Sequence, residues 1–486
     1  MQQTPAPRTG EAIVRALREA TLAPVLIRLS SRHVSSRGLA SPMAIVYSFL
    51  ALAAIGAVLL LLPVSSNVPG WTPIKVAAFT AVSAITVTGL VVVDTVPYWT
   101  PFGQAVIFGL ILVGGMGFLT GAAFLLILLG QRIGLQNMLV VREGIGVRQL
   151  GGLNAWVRRV VLIALAIQAI GTAVLFVKFY VWQQLWDGIS WGSALWLAAF
   201  HAVSAFNNAG FDIMPTARVG GASLIGFRSD YAVLGTVSIL VILGGISYAV
   251  PYDMIRTRMR APRFRLETKL VLVTTGILLL AGLVSFIGFE YARPGTIGDM
   301  SVLQKVANAW IHTVMTRTAG FNSIDYSQTS NLTNLTASLL MFIGGASTST
   351  AGGIKVTTVA VLNLALWQTL RGRRHIRAFK RELADDVVRR ALVVVLITIG
   401  IVALFVFAMA AAEGASLYRV LFEVLSAFST VGLSTGITAE ASEIGRLILM
   451  ACMFIGKFGP LTLGLWMIGP PAIERYRYLE EEVRIG

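Results

Sequence analysis

The sequence predicts an all-α integral membrane protein built from four copies of one unit around a single pore. Each unit is a spanning helix, a re-entrant half-length helix and a second spanning helix. Three observations predict this. Of the 486 residues, 56% are hydrophobic and only 13% charged, and the apolar residues form long runs of the kind that cross a bilayer in about 20 residues. Four short stretches imitate one another: Ala84-Ile85-Thr86-Val87-Thr88-Gly89-Leu90, Ala205-Phe206-Asn207-Asn208-Ala209-Gly210-Phe211, Thr316-Arg317-Thr318-Ala319-Gly320-Phe321-Asn322 and Ser429-Thr430-Val431-Gly432-Leu433-Ser434. Their glycines are 121, 110 and 112 residues apart, the near-regular spacing of an internal repeat. Finally, the basic residues gather in blocks between the apolar runs.

Taken in order, residues 1–40 form a polar N-terminal segment carrying Arg8, Arg15, Arg18, Arg28, Arg32 and Arg37. Residues 13–29 suit a basic amphipathic helix lying on a membrane surface. The first apolar run begins late and lacks a small-residue cleavage site, so no secretory signal is expected. Repeat 1 (41–130) has a span at 43–62, ended by Pro63, a half-helix at 73–84 and a span at 101–129. A connector at 131–156 leads to repeat 2 (157–256), with a span at 157–181, a half-helix at 192–206 and a span at 231–251. Repeat 3 (257–374) has 270–289, 302–315 and a long run at 335–370. Repeat 4 (375–470) has 391–411, 418–428 and 447–468, and 471–486 is a tail. Eight spans and four half-helices take up almost every apolar residue.

Charge placement orients this topology. The formal net charge is +16, and the connectors carry Arg142, Arg148, Arg158 and Arg159, then Arg256 through Lys269, then Arg371 through Arg390. The stretches after Gly89 and Gly320 have almost no bases. Under the positive-inside rule the connectors and both termini are cytoplasmic and the glycine segments open outward. With no aromatics interleaved among the basic blocks, nucleic acid is not an expected partner; lipid is. The lone Cys452 lies in an apolar run and reads as a small buried hydrophobe.

The glycine segments suit a cation. Non-helical backbone at membrane depth must be buried in protein or line a water-filled cavity. Glycine frees the backbone to turn successive carbonyls toward one axis, and a ring of carbonyl dipoles can replace a cation's hydration shell. The expected cation-facing positions are Thr86, Val87, Thr88 and Gly89; Asn207, Asn208, Ala209 and Gly210; Arg317, Thr318, Ala319 and Gly320; Thr430, Val431, Gly432 and Leu433. Flanking hydroxyls and amides, Asn322 and Ser434 among them, would hold the loops in shape. Asp94, Asp212 and Asp325 would concentrate cations at the outer mouth. One such glycine is only a helix C-cap; four in register behind half-length helices make a pattern.

These segments, the repeat and the length resemble the Trk/Ktr/HKT superfamily of potassium transporters over residues 40–470. The Ktr-type membrane subunit (KtrB) is the nearest form, because no extra pair of spans precedes repeat 1. The resemblance implies that Gly89, Gly210, Gly320 and Gly432 are the selectivity glycines; with no serine at the first, potassium is expected over sodium. It implies a homodimer in the bacterial inner (plasma) membrane and a cytoplasmic nucleotide-binding regulatory ring of the KtrA type. No nucleotide motif is present, so nucleotide belongs to that partner and not to this chain. A sodium-permeable or sodium-coupled transporter of the same fold is the second reading, and a non-transporting scaffold the third. No ligand-spaced histidine pair or nucleophile with a base points to an enzyme.

The run 335–370 is interrupted by ten residues, 344–353, containing Gly344, Gly345, Ser347, Thr348, Ser349, Thr350, Gly352 and Gly353, a poor helix interior. Two readings fit: a packing kink, or a plug beneath the filter, which the resemblance favours through the family's intramembrane gating loop. Lys457 sits in the last span, where a charge must face water, a partner or the pore. The family usually places arginine there; lysine keeps the charge and loses the fork. Lys355, just after the break, is expected to snorkel toward the cytoplasm. His201 and His312 in the half-helices read as packing residues or as titrating gates. Glu423 reads as a second cation ligand or as one member of a local pair.

Overall fold

The structure is a computed structural model and describes residues 42–115, 153–181, 190–215, 223–247, 249–347, 349–373 and 375–458. The N-terminal segment, most of the 131–156 connector, the C-terminal tail, Thr348 and the distal parts of the 101–129 and 447–468 runs lie outside the described residues.

The described chain is helical apart from one two-stranded hairpin. Repeat 1 contributes α1 (Pro42–Leu61), α2 (Ile74–Ile85), a single turn α3 (Thr95–Tyr98) and α4 (Pro101–Gly115). Repeat 2 contributes α5 (Leu153–Val181), α6 (Trp191–Phe206), α7 (Tyr231–Gly245) and α8 (Ala249–Arg256). Repeat 3 contributes α9 (Leu266–Glu290), α10 (Val302–Met315), α11 (Asn331–Phe342) and α12 (Val356–Leu370). The hairpin β1 (Arg377–Ala378) and β2 (Arg381–Glu382) then leads to α13 (Asp385–Glu413), α14 (Leu417–Phe428), α15 (Ile437–Glu440) and α16 (Glu443–Phe458).

The half-length helices α2, α6, α10 and α14 start and stop for local reasons. Proline 73 precedes α2. Ser190 caps α6 by accepting from the Ser193 amide at 3.2 Å. Ser301 and Gln304 form a reciprocal capping box at the start of α10, satisfying amides that no helix turn can reach. Each of the four ends two or three residues before a left-handed one, at Val87, Asn208, Thr318 and Thr430.

Each half-helix packs against the long helix before it (α1, α5, α9, α13). The helix after each half-helix packs against the half-helix of the next repeat: α4 on α6, α7 on α10, α11 on α14 and α16 on α2. That succession returns to its start, so the four units close into a ring. Between apolar helices in a bilayer, association rests on close packing of small residues. Gly114, Gly244 and Gly456 supply it, lying where any Cβ would strike the carbonyl oxygen of Ile85, Phe206 or Phe428.

Three described helices are long and apolar enough to cross a membrane, within Arg158–Tyr180, Leu266–Glu290 and Asp385–Glu413. The expected 231–251 span is shorter, ending at Gly245, and the 335–370 run is two helices separated by residues 343–355. The two interruptions meet. The end of α7 and the start of the break satisfy each other, with the amides of Ala346 and Thr350 donating to the carbonyls of Gly245 and Gly244 at 3.1 and 3.4 Å.

Candidate functional site

The four glycine segments meet at the centre of the ring. Gly89, Gly210, Gly320 and Gly432 have φ of 86°, 68°, 74° and 90°, and the residue two before each is also left-handed: Val87 at 52°, Asn208 at 55°, Thr318 at 72° and Thr430 at 52°. For a residue with a Cβ this conformation costs about 1–2 kcal/mol, so surrounding contacts must impose it. They do so in register. The amide just before the glycine donates to a carbonyl inside the half-helix, Thr88 to Ser83, Ala209 to Ser204 and Val431 to Ser426, each at 2.8 Å. In repeat 3 Ala319 donates instead to Met315 at 3.1 Å.

Glycine is required for a second reason. A Cβ at Gly89 would strike the carbonyl oxygen of Ala209, one at Gly210 that of Ala319, one at Gly320 that of Val431 and one at Gly432 that of Thr88. Each segment therefore abuts the carbonyl just before the next glycine, and the sequence of contacts closes on itself. The structure thus brings eight of the expected positions into mutual contact, the glycines Gly89, Gly210, Gly320 and Gly432 and the residues just before them, Thr88, Ala209, Ala319 and Val431. The side chains of Thr86, Asn207 and Arg317 point away from carbonyl duty. Thr86 donates to the Val82 carbonyl at 2.7 Å, Asn207 to that of Val203 at 2.8 Å, and the guanidinium of Arg317 reaches into the break.

Above the ring lies a cavity of about 370 Å³ lined by the four glycines, Asp94, Asp212, Asn322 and Ser434. Asp212 accepts from the amides of Met214 at 2.6 Å and Ser223 at 2.8 Å and lies 3.4 Å from His201 Nε2. Asp325 does not line this cavity; it is exposed and accepts from Ser327. Burial raises the Asp94 carboxyl from its ordinary value, the Val96 amide opposes that shift and the neighbouring Asp212 charge adds to it.

Below the ring lies the break. Arg317 donates to the carbonyls of Ile343 at 3.0 Å and Gly344 at 2.9 Å. The Gly352 amide donates to Thr430 Oγ1 at 3.1 Å, and Lys457 Nζ, buried, donates to the Thr350 carbonyl at 2.7 Å. The Thr350 hydroxyl donates to Gly244 at 3.2 Å and Ser349 to Ala346 at 2.7 Å. Ser347 pairs with Thr357 at 3.1 Å, and Gly345 and Gly353 lie against Ala351 and Ser429. Lys355 Nζ turns back to the Ala351 carbonyl at 2.5 Å, an acceptor left free by the interrupted helix. Residues 343–355 thus form a strap tied to repeats 2, 3 and 4.

The half-helix groups act on the outer loops. Glu423, buried, accepts from Ser434 at 2.6 Å, the Thr435 amide at 2.8 Å and Thr438 at 2.7 Å. His312 Nδ1 lies 2.7 Å from the Tyr326 hydroxyl, its ring stacked on Phe286. Sequence reasoning missed two sets of residues. Ser83 and Ser426, six before their glycines, accept from the amides of Gly89 and Gly432 at 3.1 Å, and Ser204, at the same offset, donates to Phe211 at 2.7 Å. The second set is Gly114, Gly115, Gly244, Gly245 and Gly456, which with the already expected Gly344, Gly345 and Lys457 make one inner-helix doublet per repeat. Aligning the repeats on the glycines would have found the serines. Aligning the doublets would have shown that Lys457 occupies the place of a glycine.

Residues 30–468 match the TrkH family profile, described as a cation transport protein. The chain is 38% identical to the Ktr system potassium uptake protein B of Bacillus subtilis, covering 92% of this chain and 96% of that protein. It is 32% identical to the potassium/sodium uptake protein NtpJ of Enterococcus hirae, over 90% of this chain and 95% of that protein. The fold matches the crystal structure of the potassium transporter TrkH from Vibrio parahaemolyticus with a TM-score of 0.69 and 17% identity, covering 90% of this chain and 87% of that one.

Proposed function

The chain belongs to the TrkH family of cation transport proteins, and on that premise we propose that it is the ion-translocating subunit of a bacterial potassium-uptake system. It is a multi-pass membrane transporter rather than an enzyme. The four glycine segments are its selectivity filter, held by eight spans and four half-helices, with the filter opening outward and both termini cytoplasmic.

The observation that carries this reading is the closed succession of glycine-to-carbonyl contacts. Four segments with left-handed residues at two alternate positions turn neighbouring carbonyls toward one axis, where they stand in for water around a bare cation without using a fixed charge. Asp94 and Asp212 raise the cation concentration just outside. The strap lies directly inside the ring, and the cation's exit requires the bonds from Lys457 and Arg317, and that from the Gly352 amide to Thr430, to let go. A homodimer and a cytoplasmic nucleotide-binding ring of the KtrA type complete the proposed system. The ring acts by favouring one arrangement of the strap and α12 over another.

Potassium and sodium uptake by a potassium-transport-deficient bacterium tests the proposal, with and without a KtrA-type partner, beside Gly89→Ser and Gly432→Ser. Uptake that loses potassium selectivity in the glycine variants supports it. Membrane-inserted protein that moves neither ion rejects it. The name of the E. hirae relative makes a sodium pathway the second reading; sodium uptake equal to potassium uptake before any substitution selects that one.

A further inference from the structure

Outside the ring, a groove of about 710 Å³ runs between α9 and α12, walled by Val273, Ile277, Ile343, Val359, Trp367 and Leu370. Its walls are open: Ile277 is 61% exposed, Trp367 56% and Leu370 74%. From Val359 to Leu370 the helix rises about 16 Å, close to half of the roughly 30 Å hydrocarbon core of a bilayer. The groove therefore has the length of one leaflet.

One end of the groove is cationic. The Arg371 guanidinium lies 4.4 Å from the centre of the Trp367 ring, and Lys269 Nζ lies 5.6 Å from that of Phe379. Neither cation forms a salt bridge among the described residues. Phe379, which also lines the groove, sits with Lys380 in the two-residue turn of the hairpin, at φ of 51° and 63°. Such turns ordinarily use glycine or asparagine. Two bulky residues held in left-handed backbone are strained positions of the kind that mark ligand clamps, and here the strain sets Phe379 at the groove's cationic end.

We propose that this groove binds one anionic phospholipid, its acyl chain lying along α12 and its phosphate held between Lys269 and Arg371. Charge decides the occupant. A second copy of the chain facing this end would bring its own basic connector, setting like charges together, whereas a lipid phosphate meets two cations with the opposite sign. The far end of the groove is Ile343, whose carbonyl receives Arg317 at the root of the strap. A seated acyl chain thus braces the strap where the helix breaks. The site goes beyond the transport reading; only its assignment to the cytoplasmic leaflet rests on the topology proposed above.

The full-length chain, reconstituted in vesicles containing brominated phosphatidylglycerol or brominated phosphatidylcholine, tests this through tryptophan quenching. The Trp367 signal is the difference between the wild-type chain and Trp367→Phe. Trp367 should be quenched by both lipids, with an apparent affinity on the order of tenfold higher for phosphatidylglycerol. Lys269→Gln with Arg371→Gln should erase that excess and leave quenching by phosphatidylcholine unchanged. The charge-conserving pair Lys269→Arg with Arg371→Lys should retain the excess, which separates lost charge from lost fold. Equal quenching by both lipids would mean ordinary annular lipid only and would overturn the site. Protection of Trp367 from both would mean that protein, a second copy foremost, fills the groove, and would overturn it as well. The readout needs no ion flux, so a failed uptake assay leaves it intact.

Discussion

Two glycine-rich regions face each other at the centre of the molecule, the ring at Gly89, Gly210, Gly320 and Gly432 and the strap at 343–355 beneath it. Both combine glycine with hydroxyl-bearing residues, and they are braced in different ways. Every ring segment is held by its neighbour's backbone and by short bonds to its own half-helix. The strap is held by two reaching side chains, Arg317 and Lys457, by the Gly352 amide on Thr430, and by Ala346 and Thr350 on the carbonyls of Gly245 and Gly244. Mutual backbone contact makes a shape that yields only as a whole. Separate side-chain ties can be released one at a time. Repeat 3 belongs to both regions: it has Val314 where the other repeats have serine, sends Arg317 downward and carries the broken inner helix.

The largest effect should come from breaking the ring. Gly320→Ala places a methyl group against the Val431 carbonyl in a left-handed position. Overpacking of that kind costs about 1–3 kcal/mol, so potassium uptake should fall on the order of 100-fold. Gly295→Ala is the control, since Gly295 has φ of 84° but open space around it; its uptake per inserted molecule should be unchanged. Equal losses in the two variants would mean that φ alone, and not the ring contact, matters.

Next comes Ser426→Ala, which leaves the half-buried Gly432 amide without its acceptor, a loss of about 1 kcal/mol. Competition of sodium against rubidium uptake should show selectivity reduced about tenfold. Val314→Ser, at the same offset in repeat 3, should change selectivity little, because no serine braces that segment now.

The ring was more legible than the strap for a physical reason. A fourfold device writes its signal four times, so Gly89, Gly210, Gly320 and Gly432 stood out against any single C-cap glycine. The half-helix limits were legible because length and capping are local, as the Ser301–Gln304 box shows. The destinations of Arg317, Lys355 and Lys457 were not. Arg317 and Lys457 end on backbone carbonyls chosen by tertiary contact, Lys457 meeting Thr350 across 107 positions of chain, and Lys355 turns back on Ala351 only because the helix is interrupted there. The role of Glu423 was hidden likewise, since its donors Ser434, Thr435 and Thr438 converge only when the loop after Gly432 folds back.

Releasing the strap should have the opposite sign. Lys457→Met removes a charge-assisted bond to Thr350, worth about 1.5–3 kcal/mol, and should raise uptake in the absence of a regulatory partner by about tenfold. Arg317→Gln should raise it too, with a selectivity loss that Lys457→Met does not share, because only Arg317 also belongs to a ring segment. Identical selectivity in the two variants would uncouple the two regions.

The smallest effect lies above the ring, where Asp94 and Asp325 differ in what surrounds them. Asp94 lines the outer cavity and Asp325 does not. Burial raises the Asp94 carboxyl, with Asp212 adding to the shift and the Val96 amide opposing it. A raised carboxyl takes up its proton, as pH falls, before an ordinary aspartate near pH 3.9 does. Attraction of cations to the mouth should therefore fade early in acidification. At low ionic strength the KM for potassium uptake should rise about twofold from pH 7 to pH 5. That rise should be smaller in Asp94→Asn, unchanged in Asp325→Asn and suppressed at about 1 M salt, where screening acts within about 3 Å. If Asp94→Asn leaves the dependence of KM on pH unaltered, the mouth contributes no field and discrimination rests on the ring alone.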